Sequence, residues 1–220
     1  RVAATEVLAR YDRLDVLVHN AGALSATRQV SPQGTELTVA SQVVGPFLLT
    51  SLLLPLLQST AQGSAPTRVL TMSSGGMYAS VLRVADLQMG DEYKGSEQYA
   101  RAKRAQVTLN EMWAQRTSGS EVVFQAMHPG WADTPGVRDS LPTFRKVVGP
   151  LLRSPQQGAD TMVWLAADDG EPIASTGKFW LDRHQRSIHK LPNTRSSDTP
   201  AKRQALWDWV AAAAGLTAGA

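Results

Sequence analysis

The chain has 220 residues, 43% of them hydrophobic, enough for one substantial core in a single globular domain, 1–220. It contains no cysteine, which excludes a disulfide framework and any thiolate metal site, and its four histidines show no ligand spacing with carboxylates. The net charge of +3 is slight, and the basic stretch from Lys178 to Arg203 lacks the interleaved aromatics of a nucleic-acid module, so it reads as a solvated surface.

Neither a leader nor a methionine opens the chain, which reads as a fold entered partway through, with a cytoplasmic location as the expectation. Val2 to Tyr11 has the pattern of the tail of an amphipathic helix. Leu14 to His19 is short, β-branched and apolar, as in a parallel strand buried on both faces, and stops at Asn20-Ala21-Gly22. Ser31-Pro32, a cap followed by a proline, predicts a long helix through Gln42 to about Leu57. Its apolar run, Val43 to Leu57, is interrupted by Gly45, Pro46, Thr50, Ser51 and Pro55. That falls short of the ~20 residues of a membrane span, so the expectation is a buried helix and no transmembrane segment.

Thr67 to Ser73 repeats the buried-strand pattern and leads into Ser74-Gly75-Gly76. Ser96 to Arg116 is a run of good helix formers, and Glu121 to Met127 a third strand closed by His128-Pro129-Gly130. Ser154-Pro155 opens a further helix, Lys178 to Leu181 is a last short strand, and a helix around Leu206 to Ala214 ends the pattern. Strands alternating with helices predict an α/β fold with a parallel sheet, right-handed crossovers and helices on both faces. In such sheets ligands gather outside the carboxyl ends of the strands, where Asn20-Ala21-Gly22, Ser73-Ser74 and Pro129-Gly130 all stand.

Tyr99 and Lys103 are four apart on the Ser96–Arg116 helix and so share a face. A phenol is a poor acid or base near neutral pH unless a positive charge stabilises its anion, and Lys103 offers that charge. The pair alone is weak, since Tyr and Lys fall at this spacing in many helices. Ser74 alone equally suits a serine that finishes a strand and caps a turn, and Asn20-Ala21-Gly22 and Pro129-Gly130 equally suit plain turns.

Together and in this order, Asn20-Ala21-Gly22, Ser74, Tyr99 with Lys103, and Pro129-Gly130 with Thr134 resemble the short-chain dehydrogenase/reductase family. The resemblance implies a Rossmann-type, doubly wound, three-layer α/β/α fold, here lacking its first strands. It also implies hydride transfer between NAD or NADP and a small-molecule carbonyl or alcohol, lipid-like ones included. It makes Tyr99 the proton donor or base, Lys103 the group that lowers its pKa and binds the nicotinamide ribose, and Ser74 the donor to the carbonyl oxygen. Asn20, Ala21 and Gly22 would pass close to the cofactor, and Pro129, Gly130 and Thr134 would hold the nicotinamide carboxamide. Trp131 suits either a pocket lining or simple packing.

Three features depart from the family pattern. Gln42 stands where the family has an asparagine whose main-chain carbonyl serves a water-linked proton relay. The interval of 25 from Ser74 to Tyr99 implies a loop insertion, as in the retinol-dehydrogenase-like branch. None of the 17 glycines forms the phosphate-binding loop that opens the family's fold, so the expectation is that the chain alone binds neither dinucleotide measurably. The apolar run Phe47, Leu48, Leu49, Leu52, Leu53 adds an expectation of a homodimer through helices near Thr38–Leu57 and Glu97–Thr117. A non-catalytic protein that keeps the sheet for binding or dimerisation is the alternative, which Gln42 and the lost loop would suit.

Overall fold

The computed structural model describes residues 1–62, 65–132 and 152–216. A sheet runs in the order β1 (Val16–His19), β2 (Thr67–Met72), β3 (Val122–Met127), β4 (Lys178–Leu181) and β5 (His184–Gln185). The first four strands are parallel and the last antiparallel. The parallel strands therefore finish at one edge, at His19, Met72, Met127 and Leu181.

The helices are α1 (Val2–Arg10), α2 (Leu37–Ala61), α3 (Gly95–Arg116), α4 (Pro155–Ala167), α5 (Pro192–Ser196) and α6 (Pro200–Ala213). Alternation along the strands sends Val69, Val122 and Phe124 to one face, against Phe47 and Leu57 of α2, Leu109 and Trp113 of α3, and Trp207 of α6. Trp113 stacks on Phe124 with ring centroids 5.8 Å apart, and Phe47 meets the Trp207 ring at 4.8 Å. Leu70, Met127 and Trp180 point the other way, against Met162 and Leu165 of α4. Helix, sheet and helix make the three layers of the Rossmann-type fold.

Several expectations are corrected here. β1 is not buried on both faces: its residues are only partly covered and Val18 is 42% exposed, while among the described residues it pairs with β2 alone, the bare edge that a chain without the fold's first strands leads one to expect. Ser31-Pro32 does not start α2. The Ser31 carbonyl instead accepts from the Gly34 amide at 2.9 Å in a turn that Gly34 closes at φ +82°. The helix begins six residues after Ser31, where the fully buried Glu36 side chain accepts from the amides of Thr38 and Val39, each at 3.0 Å. A glutamate cap lies behind a stronger-looking Ser-Pro signal. α6 starts earlier than expected, at Pro200, because the Thr199 hydroxyl accepts from the Lys202 amide at 3.3 Å.

α2 is continuous through Gly45 and Pro46, with one wide π turn over Ala40–Val44. That turn re-registers the hydrogen-bond ladder just ahead of Pro46, which has no N–H to give to it. The long segment between Ser74 and Tyr99 is ordered by burial of Leu82 and Leu87 in the main core. It is also tied down by Arg101, which bonds Asp86 and Glu97 at 2.6 Å each.

Glu36→Ala removes two backbone bonds and leaves two helix donors unmet in a dry site. It should lower unfolding stability by about 2 kcal/mol in urea denaturation, whereas Ser31→Ala, a turn residue, should cost less than about 0.5. Equal losses for the two variants would show that Glu36 is not the cap on which α2 depends.

Candidate active site

The carboxyl edge of the sheet gathers the residues singled out above. Asn20-Ala21-Gly22 follow β1, Ser73-Ser74 follow β2, and Pro129-Gly130 follow β3 after His128. α3 crosses beneath them and is buried along most of its length, with Ala102 and Ala105 fully enclosed. Small residues on this face let the helix lie close to the sheet, and that closeness brings Tyr99 and Lys103 to the strand ends.

The two serines do different things. Ser73 is buried, its hydroxyl donating to the Lys103 carbonyl at 3.2 Å and its amide to the Met127 carbonyl at 2.7 Å. Ser74 is the cap of a tight turn, Gly75–Ala79, and its hydroxyl accepts from the Gly76 amide at 3.2 Å. Ser74 and Tyr99 flank the same bare backbone: a Cβ at Gly76 would lie 3.5 Å from Ser74 Oγ and 3.9 Å from Tyr99 Cδ1 and Cε1.

Burial pushes the Tyr99 phenol up from its ordinary value, and its hydrogen bond with Ser74 works the other way. Lys103 is 2% exposed, donates from Nζ to the Met72 carbonyl at 2.9 Å, and sits 5.3 Å from the Tyr99 ring centroid. Burial lowers it to about 7. The expectation that Lys103 holds the phenol down is therefore corrected for the unliganded protein. Desolvation acts on both groups, so near pH 7 the lysine is only partly charged while the phenol keeps its proton.

Gln42 lies in the π turn of α2 and is fully buried. Its Nε2 donates to the Ala23 carbonyl at 2.6 Å, and its main-chain carbonyl accepts from Gln106 Nε2, also at 2.6 Å. Its Oε1 has no hydrogen-bond partner. Gly22 is the residue that Gln42 and Lys103 share: a Cβ there would stand 3.2 Å from Gln42 Oε1 and 3.4 Å from Lys103 Nζ.

Gly130 has φ +72°, and a Cβ on it would press on the Arg153 guanidinium, with Cζ at 2.8 Å. Arg153 in turn donates to the Pro129 carbonyl at 3.3 Å and pairs with both carboxylate oxygens of Asp182, which pins the Pro-Gly turn to the end of β4. Thr134 lies outside the described residues. Sequence reasoning passed over His128, although it adjoins Pro129-Gly130. Its Nδ1 accepts from the Gly130 amide at 3.1 Å, its ring stacks on Phe179 at 5.7 Å, and a Cβ at Gly75 would touch its Cε1 at 3.5 Å. Burial, helped by the charge of Lys190, lowers it to about 4 and keeps it neutral. Arg153, which carries no motif, had no signal in the sequence.

A sequence profile of the short chain dehydrogenase family matches residues 1–143. The chain is 41% identical over 195 residues to dehydrogenase/reductase SDR family member 12 of Homo sapiens, covering 88% of this chain and 59% of that protein. It is 31% identical over 215 residues to retinol dehydrogenase 14 of Mus musculus, covering 94% and 61%. The chain thus spans about three fifths of the length of these relatives. Among solved structures, an uncharacterised protein from Mycobacterium paratuberculosis superposes with a TM-score of 0.69 at 21% identity, covering 98% of this chain and 72% of that one. The NADP active-site complex of Pseudomonas aeruginosa RhlG gives a TM-score of 0.62 at 22% identity, covering 81% and 68%.

These findings also correct the expected cytoplasmic location. The relatives include retinol dehydrogenases, named for a lipid-soluble alcohol, and α2 is a single 25-residue helix long and apolar enough to cross a membrane by length and composition. The breaks at Gly45, Pro46 and Pro55 do not shorten it as expected; in this fold 44% of its most apolar window is buried, with Phe47, Leu53, Leu56 and Leu57 on the covered side. Profile match, identity and fold agree with the strand-end motifs, and the chain belongs to the short-chain dehydrogenase family.

Proposed function

We propose that the protein carrying this chain is an oxidoreductase that exchanges hydride between a nicotinamide cofactor and a carbonyl or alcohol on a lipid-like substrate. The observation that carries the reading is the meeting of Ser74 and Tyr99 across Gly76, with Lys103 buried 5.3 Å from the Tyr99 ring. When bound, the nicotinamide supplies or accepts the hydride. Tyr99, protonated because it is buried, passes its proton to the substrate oxygen in reduction. Ser74 donates a hydrogen bond to that same oxygen as negative charge grows on it. The residues fit a dinucleotide's nicotinamide half: Lys103 uses one of its three ammonium donors on Met72, and Gly22 carries no side chain between that amine and Gln42. Asn20, Ala21, Gly22, Lys103, Tyr99, Pro129 and Gly130 would hold that half, the resemblance assigns Thr134, outside the described residues, to the same task, and NAD and NADP suit this part of the site equally.

A lipid-like substrate is supported by the retinol dehydrogenase relatives and by Trp131, 56% exposed just beyond β3. A homodimer is proposed through the outer side of α2 alone. Leu49 and Leu52 are half-buried there, while Phe47 and Leu53 belong to the core, Leu48 packs against it, and α6 already covers Trp113 of α3. Gln42, in place of the family's asparagine, favours a second reading, a non-catalytic protein that keeps the sheet for binding.

Tyr99→Phe in the full-length protein separates the two readings. Turnover should fall by at least about 100-fold while dinucleotide affinity, read by fluorescence titration, stays nearly unchanged. Near wild-type kcat in this variant would remove Tyr99 as the proton donor. Lys103→Met should impair both binding and turnover.

Stability against pH tests the burial of Lys103 without any cofactor. Its folded value of about 7 lies below its ordinary 10.5, so the folded state gives up the proton first. The cost is complete below pH 7 and disappears as pH rises towards 10.5, with a slope of at most about 1.4 kcal/mol per pH unit. Urea unfolding should therefore show the protein gaining stability between pH 7 and 9.5, a gain that Lys103→Met flattens. The same gain in both proteins would mean that Lys103 is not the group responsible.

A further inference from the structure

Arg104 follows Lys103 in α3 and is fully buried, though it carries a charge. Its guanidinium meets three main-chain carbonyls: Nε donates to Ser80 at 3.1 Å, Nη2 to Met77 at 3.0 Å and Nη1 to Ile188 at 2.8 Å. The carboxylates whose charge it feels, Asp198 and Glu111, are both bonded to Arg203 instead. A buried cation is costly, and directed bonds to carbonyls are what offset that cost here. The planar fork suits three acceptors in fixed directions, which the point charge of a lysine does not.

Two of those carbonyls belong to the turn that Ser74 caps, Gly75–Ala79 with Ser80 closing it. Within it the Met77 amide donates to the Ser74 carbonyl and the Ser80 amide to the Met77 carbonyl, each at 3.2 Å. The upstream end is held by the preceding residue of α3: Lys103 Nζ donates to Met72, and the Lys103 carbonyl accepts from the Ser73 hydroxyl. Two consecutive residues of α3 thus grip the stretch 72–80 at four points, with Ser74 between them. The third Arg104 bond adds the segment at Ile188, to which Tyr78 of the turn is also tied through its hydroxyl on the Ser187 carbonyl at 2.8 Å.

We propose that Arg104 is the positioning residue for Ser74: its guanidinium holds the Gly75–Ala79 turn to α3, and so keeps the Ser74 hydroxyl beside Tyr99 of the same helix. Ser74 follows a strand and Tyr99 rides on a helix, so their separation depends on what fastens one element to the other. Enclosed as it is, Arg104 acts only through the turn and moves no proton. The consequence for turnover rests on the oxidoreductase reading; the hold on the turn does not.

Arg104→Lys keeps the charge but cannot serve three diverging acceptors, and two measurements on the full-length protein read the result. In hydrogen exchange without dinucleotide, the Met77 and Ser80 amides should exchange at least about 10-fold faster while the β2 amides are unchanged. In steady-state assays kcat should fall at least about 10-fold with dinucleotide affinity unchanged. In a Ser74→Ala background, where no hydroxyl is left to position, the same change should cost less than about 2-fold. A merely structural role would lower kcat by the same factor in both backgrounds, and that result overturns the proposal. Unchanged exchange at Met77 and Ser80, or an equal loss of protection in β2, overturns it too. Where Arg104→Lys does not fold, Arg104→Gln is read by the same signs; failure of both to fold makes Arg104 a residue of the whole core and overturns the proposal. Faster exchange confined to the turn, in a protein without turnover, sustains the hold and counts against the oxidoreductase reading alone.

Discussion

The constraint on which the rest depends is the enclosure of the Lys103 amine. A lysine 2% exposed, held by a single backbone carbonyl, is expensive as a cation, and the packing around α3 imposes that cost. Ala102 and Ala105 bring the helix close to β3, and α6 and the ordered 77–98 segment close over its outer side. The same closeness dries Tyr99. Burial then moves the two groups in opposite directions, the phenol towards its protonated form and the amine towards neutrality, so the pair rests as a proton donor beside a weakly held proton. Groups whose surroundings push their titrations this way mark working sites more often than structural ones.

The sheet makes this arrangement possible by ending its parallel strands on one edge. Each strand end contributes a segment with little or no side chain where approach is closest: Gly22 after β1, Gly76 after β2, Gly130 after β3. Two of these gaps are bounded by the residues of interest, Gly76 by Ser74 and Tyr99, Gly22 by Gln42 and Lys103. The π turn in α2 belongs to the same design, since it lies where the helix passes Gly22 and carries Gln42. Such turns are often found at working sites, where the wider ladder re-aims a side chain.

Much of this was legible from residue order. Tyr99 and Lys103 four apart in a helix-forming run, and turn residues after each apolar strand pattern, locate the site because periodicity and turn chemistry are local properties. Burial is not local, and there the reading failed. β1 looked buried on both faces because its composition is apolar, yet composition does not report what covers a strand, and its residues are only partly covered. The effect of Lys103 on Tyr99 was inferred from charge alone, whereas desolvation of both groups outweighs it. The start of α2 was misread because Ser31-Pro32 resembles a cap and Glu36 does not; only the structure shows that Glu36 reaches its own helix amides and that Gly34 closes a turn before them. Arg153 and Gln106 act through contacts 24 and 64 residues away along the chain, with Pro129 and Gln42 respectively, and no spacing rule reports those.

Hydride transfer is the central claim, and isotope tracing tests it most directly. Full-length protein is incubated with dinucleotide deuterated at the nicotinamide C4 and with retinal, a long-chain aldehyde and a cyclic ketone, and the alcohols are examined by mass spectrometry. The account predicts one deuterium on the carbinol carbon of at least one product, taken from a single face of the nicotinamide and lost in Tyr99→Phe. Dinucleotide bound by the protein with no deuterium reaching any of the three carbonyls would contradict it and leave the site as a binding module.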